Sequence, residues 1–149
     1  MASATITVMA GVARGWARPV RATHDVVMVD QRGTGRSFPL DCGFDPASDP
    51  AATFGHVFNP AAVSRCRAAL ERVADLTQYT TDLAIEDVED IRVRLGYEQV
   101  SLYGGSYGTR MAQAYLRRYP ERVRSMVLDG VVPFDTAGPL TYARTAQQA

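Results

Sequence analysis

Residues 99–118 read QVSLYGGSYGTRMAQAYLRR, and no other run narrows the possible folds as much. Gln99–Tyr103 is a short β-branched and aromatic segment, a strand candidate. Gly104-Gly105-Ser106-Tyr107-Gly108 follows. From Tyr107 the pattern turns helical, and Pro120 ends it, so a helix is expected over Tyr107–Arg118. A strand that passes through a G-x-S-x-G turn into a helix needs glycine two residues either side of the serine, because the turn is sharp and neighbouring backbones crowd it. Such a turn projects Ser106 Oγ above the strand end and aims the Tyr107 backbone N–H at a developing oxyanion. Ser106 is therefore the candidate nucleophile, with Gly104 and Gly108 as the elbow glycines. The competing reading is a glycine-rich strand-to-helix turn in an ordinary α/β domain.

Three further strands are expected at Thr5–Met9, Val26–Asp30 and Val123–Leu128. VVMVD, and VRSMVLD with its final Asp, are apolar runs of the kind buried on both faces of a parallel sheet. Helical segments lie between them. Asn59-Pro60 offers an N-cap followed by Pro at the first helical position, opening Ala61–Ala74. Thr80 or Thr81 caps the next helix, and Asp82 sits in its first turn, where the helix dipole favours an anion. Ala84, Val88, Ile91 and Leu95 form one apolar stripe, and Gly96 stands where a C′ glycine belongs. Alternating strands and helices imply an α/β protein with a parallel sheet. Gly11–Asp25 leaves about a dozen residues for the first crossover, near the minimum for a parallel connection. Asp41–Phe58, rich in Pro, Asp and Ala, reads as an irregular surface excursion. No internal repeat is present.

Composition excludes several classes. Sixteen Arg and no Lys balance sixteen acids, so no basic footprint for nucleic acid or a membrane surface is expected. Without Lys there is no Walker A lysine, pyridoxal Schiff base or Ser-x-x-Lys dyad. Cys42, Cys66, His24 and His56 are the only soft ligands and lack metal-site spacing, so no metal and no cofactor are expected. Cys42 and Cys66 suffice for one bridge in an oxidising compartment, but whether they meet depends on their Cα separation. No apolar run reaches the length of a membrane span. The first residues lack the basic-then-apolar order of a secretory signal, so a cytoplasmic location is expected, with secretion of a longer form left open.

Asp30-Gln31-Arg32-Gly33-Thr34-Gly35-Arg36-Ser37 follows the second strand. A dinucleotide fingerprint needs a third glycine where Phe38 stands. The better reading is a tight loop that Asp30 ties down with Arg32 or Arg36. VVMVDQRGTGRS, together with LYGGSYGTRMAQAYLRRYPERVRSMVLDGVVP, resembles the α/β-hydrolase fold. The nearest likeness is to serine peptidases such as prolyl iminopeptidases and tripeptidyl aminopeptidases. The resemblance covers about Val26–Val132 and includes YTTDLAIEDVEDIRVRLGY. It implies that Ser106 is the acylated serine and that Tyr107 gives one oxyanion N–H. It also implies that Thr5–Met9 lies between the second strand and the nucleophile strand. An incomplete sheet of about four strands, in the order second, first, third, fourth, is therefore expected, with the site at the topological switch beside Ser106.

The sequence also departs from that family. Its glycine-rich oxyanion loop falls at Ala10-Gly11-Val12-Ala13, which leaves Gly11 as the second donor. The acid and histidine follow the serine in the family's chain order, yet no histidine follows Ser106 here. Asp129 ends the strand after the nucleophile helix, where some α/β hydrolases keep their acid, although the usual place is one strand later. The expected organisation is a partial hydrolase core over residues 1–132, with residues 1–22 atypical, and the start of a truncated cap over 133–149. The function implied is a serine hydrolase, an aminopeptidase acting on peptides; the alternatives are an esterase or amidase acting on small esters or amides, and a non-catalytic remnant. These residues alone are expected to be inactive. Val123–Leu128 should be an open apolar edge that favours aggregation.

Overall fold

Parallel pairing requires every connection to cross from one end of the sheet to the other. The computed structural model describes residues 4–7, 18–43 and 60–135. Among these, strands β1 (Ala4–Thr7), β2 (Asp25–Met28), β3 (Val100–Gly105) and β4 (Val123–Asp129) form one sheet. Their order is β2-β1-β3-β4 and every pairing is parallel, as expected. Strand ends differ from the sequence reading. β2 stops at Met28, before Asp30, while β3 and β4 run further because Gly104 pairs with Leu128 and Gly105 with Asp129. The register slips between Val100↔Val123 and Ser101↔Ser125, leaving Arg124 as the extra residue of a β-bulge. Met9 and Gly11 lie outside the described residues.

The described helices are α1 (Arg18–Arg21), α2 (Pro60–Leu70), α3 (Thr81–Arg94) and α4 (Tyr107–Arg118). α3 ends as the sequence suggests. Gly96 adopts φ +75°, the Gly96 N–H donates to the Val93 carbonyl and the Tyr97 N–H to the Arg92 carbonyl. That pair of bonds is a Schellman motif, which needs a residue free of Cβ strain at Gly96. The buried stripe of α3 is not the expected one. Ala84, Ile85, Val88 and Arg92 face inward, whereas Leu95 is 50% exposed. The stripe is rotated because Arg92 takes an inner position for its hydrogen bonds.

The chain divides into two compact units, Met1–Val29 with Thr81–Ala149, and Asp30–Thr80. In the first unit the core joins Ala84, Ile85 and Val88 of α3, Val100 and Leu102 of β3, and Met111, Ala112, Ala114 and Tyr115 of α4. Val27, Val29, Val123, Met126 and Leu128 pack against it. Burying each large side chain stabilises by roughly 1.5–3 kcal/mol. The expectation that β2 and β4 are buried on both faces is not met, since Met28 is 49% and Val127 58% exposed. Burial on both faces requires cover on both, and the described core collects on the α3–α4 side.

One charged group lies inside this core. Arg92 is 6% exposed, and its guanidinium pairs with Glu89 through Nη2–Oε1 (2.6 Å) and Nε–Oε2 (2.8 Å). Its Nη1 donates to the carbonyls of Tyr97 and Glu98, satisfying the turn into β3. The Tyr115 hydroxyl donates to Glu89 Oε2 at 2.5 Å. Hydrogen bonding from Arg92 holds the Glu89 carboxyl below its ordinary value. Burial, with the Glu89 bond second, pushes the Tyr115 phenol up.

In the second unit none of the described residues is buried. α2 ends at Leu70 instead of Ala74, and turns carry the chain to Asp75, whose carboxylate caps the next turn by accepting from the Thr77 N–H at 3.0 Å. The glycine loop is tied down by hydrogen bonds: Asp30 Oδ2 accepts the Arg36 backbone N–H at 3.0 Å, and Arg32 Nη1 donates to the Gln78 carbonyl at 2.7 Å. Cys42 and Cys66 are disulfide-bonded, with Cα atoms 5.5 Å apart across a separation of 24 residues. Where the described residues bury so little, a bridge of this kind adds stability that their packing does not.

Three substitutions test these packing features. Cys42→Ser should lower the unfolding free energy by about 3.5 kcal/mol, the loop-closure value for a bridge of this span, as read by urea titration against the oxidised parent protein. Because the folded pKa of Glu89 is depressed, its contribution is complete above the unfolded value of about 4.3 and is lost as pH falls through the lower folded value. Glu89→Gln should therefore flatten the acid limb of a stability–pH curve. Arg92→Met, which strands the partly buried Glu89 carboxylate, should cost about 3 kcal/mol at neutral pH.

Candidate active site

β3 ends at Gly105 and α4 begins at Tyr107, so Ser106 alone makes the turn. Its backbone adopts φ 50°, ψ −118°, a conformation that costs an L-residue roughly 1–3 kcal/mol. The elbow geometry anticipated from the pentapeptide is present, and the Ser106 side chain is exposed. Gly104 is required by close approach: a Cβ there would lie 2.6 Å from the Gly108 carbonyl carbon and 2.9 Å from the Thr109 nitrogen. The start of α4 therefore crosses directly over the end of β3.

Three hydrogen bonds hold the strained residue. The Ser106 N–H donates to the Asp129 carbonyl at 2.8 Å. The Ser106 carbonyl accepts the Thr109 N–H at 2.9 Å and the Thr109 hydroxyl at 2.7 Å. The Tyr107 N–H belongs to the same peptide unit as that carbonyl and lies at the amino end of a 12-residue helix. There the helix dipole favours negative charge. The Tyr107 hydroxyl meets Thr81 Oγ1 at 2.7 Å, joining the first residues of α4 and α3.

Asp129 reaches the elbow because it pairs with Gly105 at the carboxyl edge of the sheet. Its carboxylate accepts the Tyr103 hydroxyl at 3.0 Å, and this bond raises the Tyr103 phenol above its ordinary value. His24 precedes β2 at the opposite, amino edge of the same sheet. A six-residue strand such as β3 separates those edges by roughly 15–20 Å. His56 and Gly11 lie outside the described residues.

Residues the sequence reading passed over complete the arrangement. Thr109 is fully buried and its Oγ1 accepts the Val132 N–H at 2.9 Å. Gln113 Nε2 donates to the carbonyls of Thr109 (3.0 Å) and Val132 (3.2 Å). Arg110 Nη2 donates to the carbonyls of Pro133 (3.0 Å) and Phe134 (2.8 Å). The segment after β4 is thus fastened to α4 along one side. A hydroxyl three residues after the serine was the available signal, but its partner at Val132 is distant in sequence. Among the described residues, no group of three His, Cys, Asp or Glu is placed to hold a metal ion. Nor is any helix there long and apolar enough to cross a membrane.

A family model described as alpha/beta hydrolase fold matches residues 9–147. A proline iminopeptidase of Xylella fastidiosa is 30% identical over 117 residues, covering 75% of this chain and 27% of that protein. A tripeptidyl aminopeptidase of Streptomyces lividans is 31% identical over 127 residues, covering 78% and 24%. The chain therefore spans about a quarter of the length of these curated relatives. A solved structure of a marine microorganism esterase superposes with a TM-score of 0.57 at 16% identity, covering 97% of this chain and 44% of that one. The fold and the resemblance expected from the motifs are both borne out.

Backbone strain at the elbow gives a direct test. Ser106→Gly, which removes the Cβ penalty, should unfold at higher urea than Ser106→Ala by the equivalent of about 1 kcal/mol. Gly104→Ala should destabilise by roughly 1–3 kcal/mol or more through overpacking.

Proposed function

The chain belongs to the α/β-hydrolase fold family, and from that premise we propose that it carries the nucleophile of a serine hydrolase, an aminopeptidase removing N-terminal residues from peptides. The observation that supports this most is Ser106 itself, an exposed hydroxyl held in a strained turn between β3 and α4. Strain of that kind persists only where surrounding contacts over-determine it, and it concentrates at functional sites. In the proposed reaction Ser106 Oγ attacks a substrate carbonyl. The oxyanion is received by the Tyr107 N–H and a second donor at Gly11, and the acyl-enzyme is released to water. Asp129 is the candidate acid. The peptide substrate class follows the relatives named above; small esters or amides are the alternative on the same acyl chemistry. The proposed organisation is a partial core over 1–132 and the start of a cap from 133. The Cys42–Cys66 bridge favours an oxidising compartment over the cytoplasm expected from the sequence.

A serine hydroxyl is weak until a base takes its proton. No histidine follows Ser106, and His24 stands at the other edge of the sheet. These 149 residues alone should therefore show near-background turnover of a chromogenic ester and an N-terminal prolyl amide. A fluorophosphonate needs no deacylation step, and at alkaline pH, where hydroxide takes the serine proton, it reads the nucleophile without a histidine base. Of the seven serines in the sequence, Ser106 should take the adduct fastest, and Ser106→Ala should abolish that peak in peptide mass spectra. Uniform labelling of all serines would favour the non-catalytic remnant and overturn the proposal.

A further inference from the structure

We propose that Thr109 is a positioning residue that aims the oxyanion donor by clamping the peptide unit between Ser106 and Tyr107. The inference rests on the reading of Ser106 as nucleophile and of the Tyr107 N–H as a donor. The Ser106 carbonyl and the Tyr107 N–H belong to one planar trans peptide, so they point in opposite directions and turn together. The structure contains no cis peptide bond among the described residues. Whatever fixes the carbonyl therefore fixes the N–H.

Thr109 grips that carbonyl twice, through its own N–H at 2.9 Å and its hydroxyl at 2.7 Å. The backbone bond alone would leave the peptide free to tilt about a single contact, and the strained ψ of −118° at Ser106 gives it reason to tilt. The hydroxyl is itself committed. It carries one proton, which goes to Ser106, because its other partner, the Val132 N–H, is a donor at 2.9 Å. Thr109 is 0% exposed, so water does not compete for it. Gln113 Nε2, donating to the carbonyls of both Thr109 and Val132, holds those two residues together. The orientation of the donor is thus set from the segment that follows β4, through one hydroxyl.

The test compares fluorophosphonate labelling in the parent, Thr109→Val, Thr109→Ala and Thr109→Ser proteins. In that reaction, run at alkaline pH, hydroxide takes the Ser106 proton, the Oγ–phosphorus bond forms and the phosphorus–fluorine bond breaks to release fluoride, with the phosphoryl oxygen in the donor's path. Thr109→Val should slow labelling at Ser106 by about tenfold to a hundredfold, less than the roughly 10²–10³-fold for deleting a donor outright. The other serines serve as an internal standard and should label at the parental rate. Thr109→Ala removes the same hydroxyl without adding a methyl group and should behave alike, while Thr109→Ser should restore the parental rate. A variant that has simply unfolded loses helical circular dichroism and changes labelling at every serine together, which sets it apart from a turned donor. Parental labelling of Ser106 in folded Thr109→Ala overturns the proposal, as does a Thr109→Ser protein as slow as the alanine variant. If Ser106 is not favoured even in the parent, the hydrolase reading itself has failed, and this inference falls with it.

Discussion

Everything near the carboxyl edge of the sheet answers to one backbone requirement: Ser106 must hold a positive φ between a strand and a helix. An L-residue does not stay there unaided. Pairing of Gly105 with Asp129 brings a carbonyl to the Ser106 N–H, and Thr109 occupies the other end of the residue. Gly104 gives way so that α4 can begin directly above β3. These features serve each other. The tight crossing that excludes a Cβ at Gly104 also sets Thr109 under the serine carbonyl. The core beneath, from Val100 to Tyr115, supplies the free energy that offsets the strain.

The amino edge of the sheet is organised differently. There Arg92 is buried against the partly buried Glu89, and it spends donors on two carbonyls of the turn entering β3. Burying an ion pair is seldom a net gain in stability, but here the guanidinium also satisfies backbone groups that the Schellman turn leaves open. Tyr115 joins this pair from α4. α4 thus touches the elbow at its first turn and the charged cluster near its last, so one helix spans both edges.

What the sequence made legible was local. Strand–turn–helix punctuation located α4 to the residue, and Gly96 marked the end of α3, because a helix terminus is decided by a few adjacent residues. Strand order followed from likeness to a known fold, not from periodicity. The inner stripe of α3 was misjudged at Leu95 and Arg92, since hydrophobic spacing cannot anticipate a charged side chain drawn inward by distant carbonyls. Whether Cys42 meets Cys66 stayed open, and Thr109 with Val132 was invisible, for the same reason. Both depend on where separate segments come to rest. Of the candidate site, the strand–turn–helix elbow at Ser106 was legible, and the contacts that hold it were not.

The bulge at Arg124 bears on more than the shape of one strand. Side chains alternate across a strand with a period of two, so an extra residue moves everything after it to the opposite face. Val123 lies inward before the bulge, and Met126 and Leu128 lie inward after it. Were all seven residues of β4 in strict alternation with no bulge, Ser125, Val127 and Asp129 would turn toward the helices, and the apolar Met126 and Leu128 would turn to water. The bulge is in effect a phase shifter: it lets a sequence that would be polar inward in strict alternation deliver an apolar face to α4. It also keeps the Asp129 side chain off the core at the strand's far end. Straightening the bulge while keeping all its residues would therefore be felt five residues later, beside the serine, whereas deleting Arg124 would leave the faces of Met126, Leu128 and Asp129 as they are.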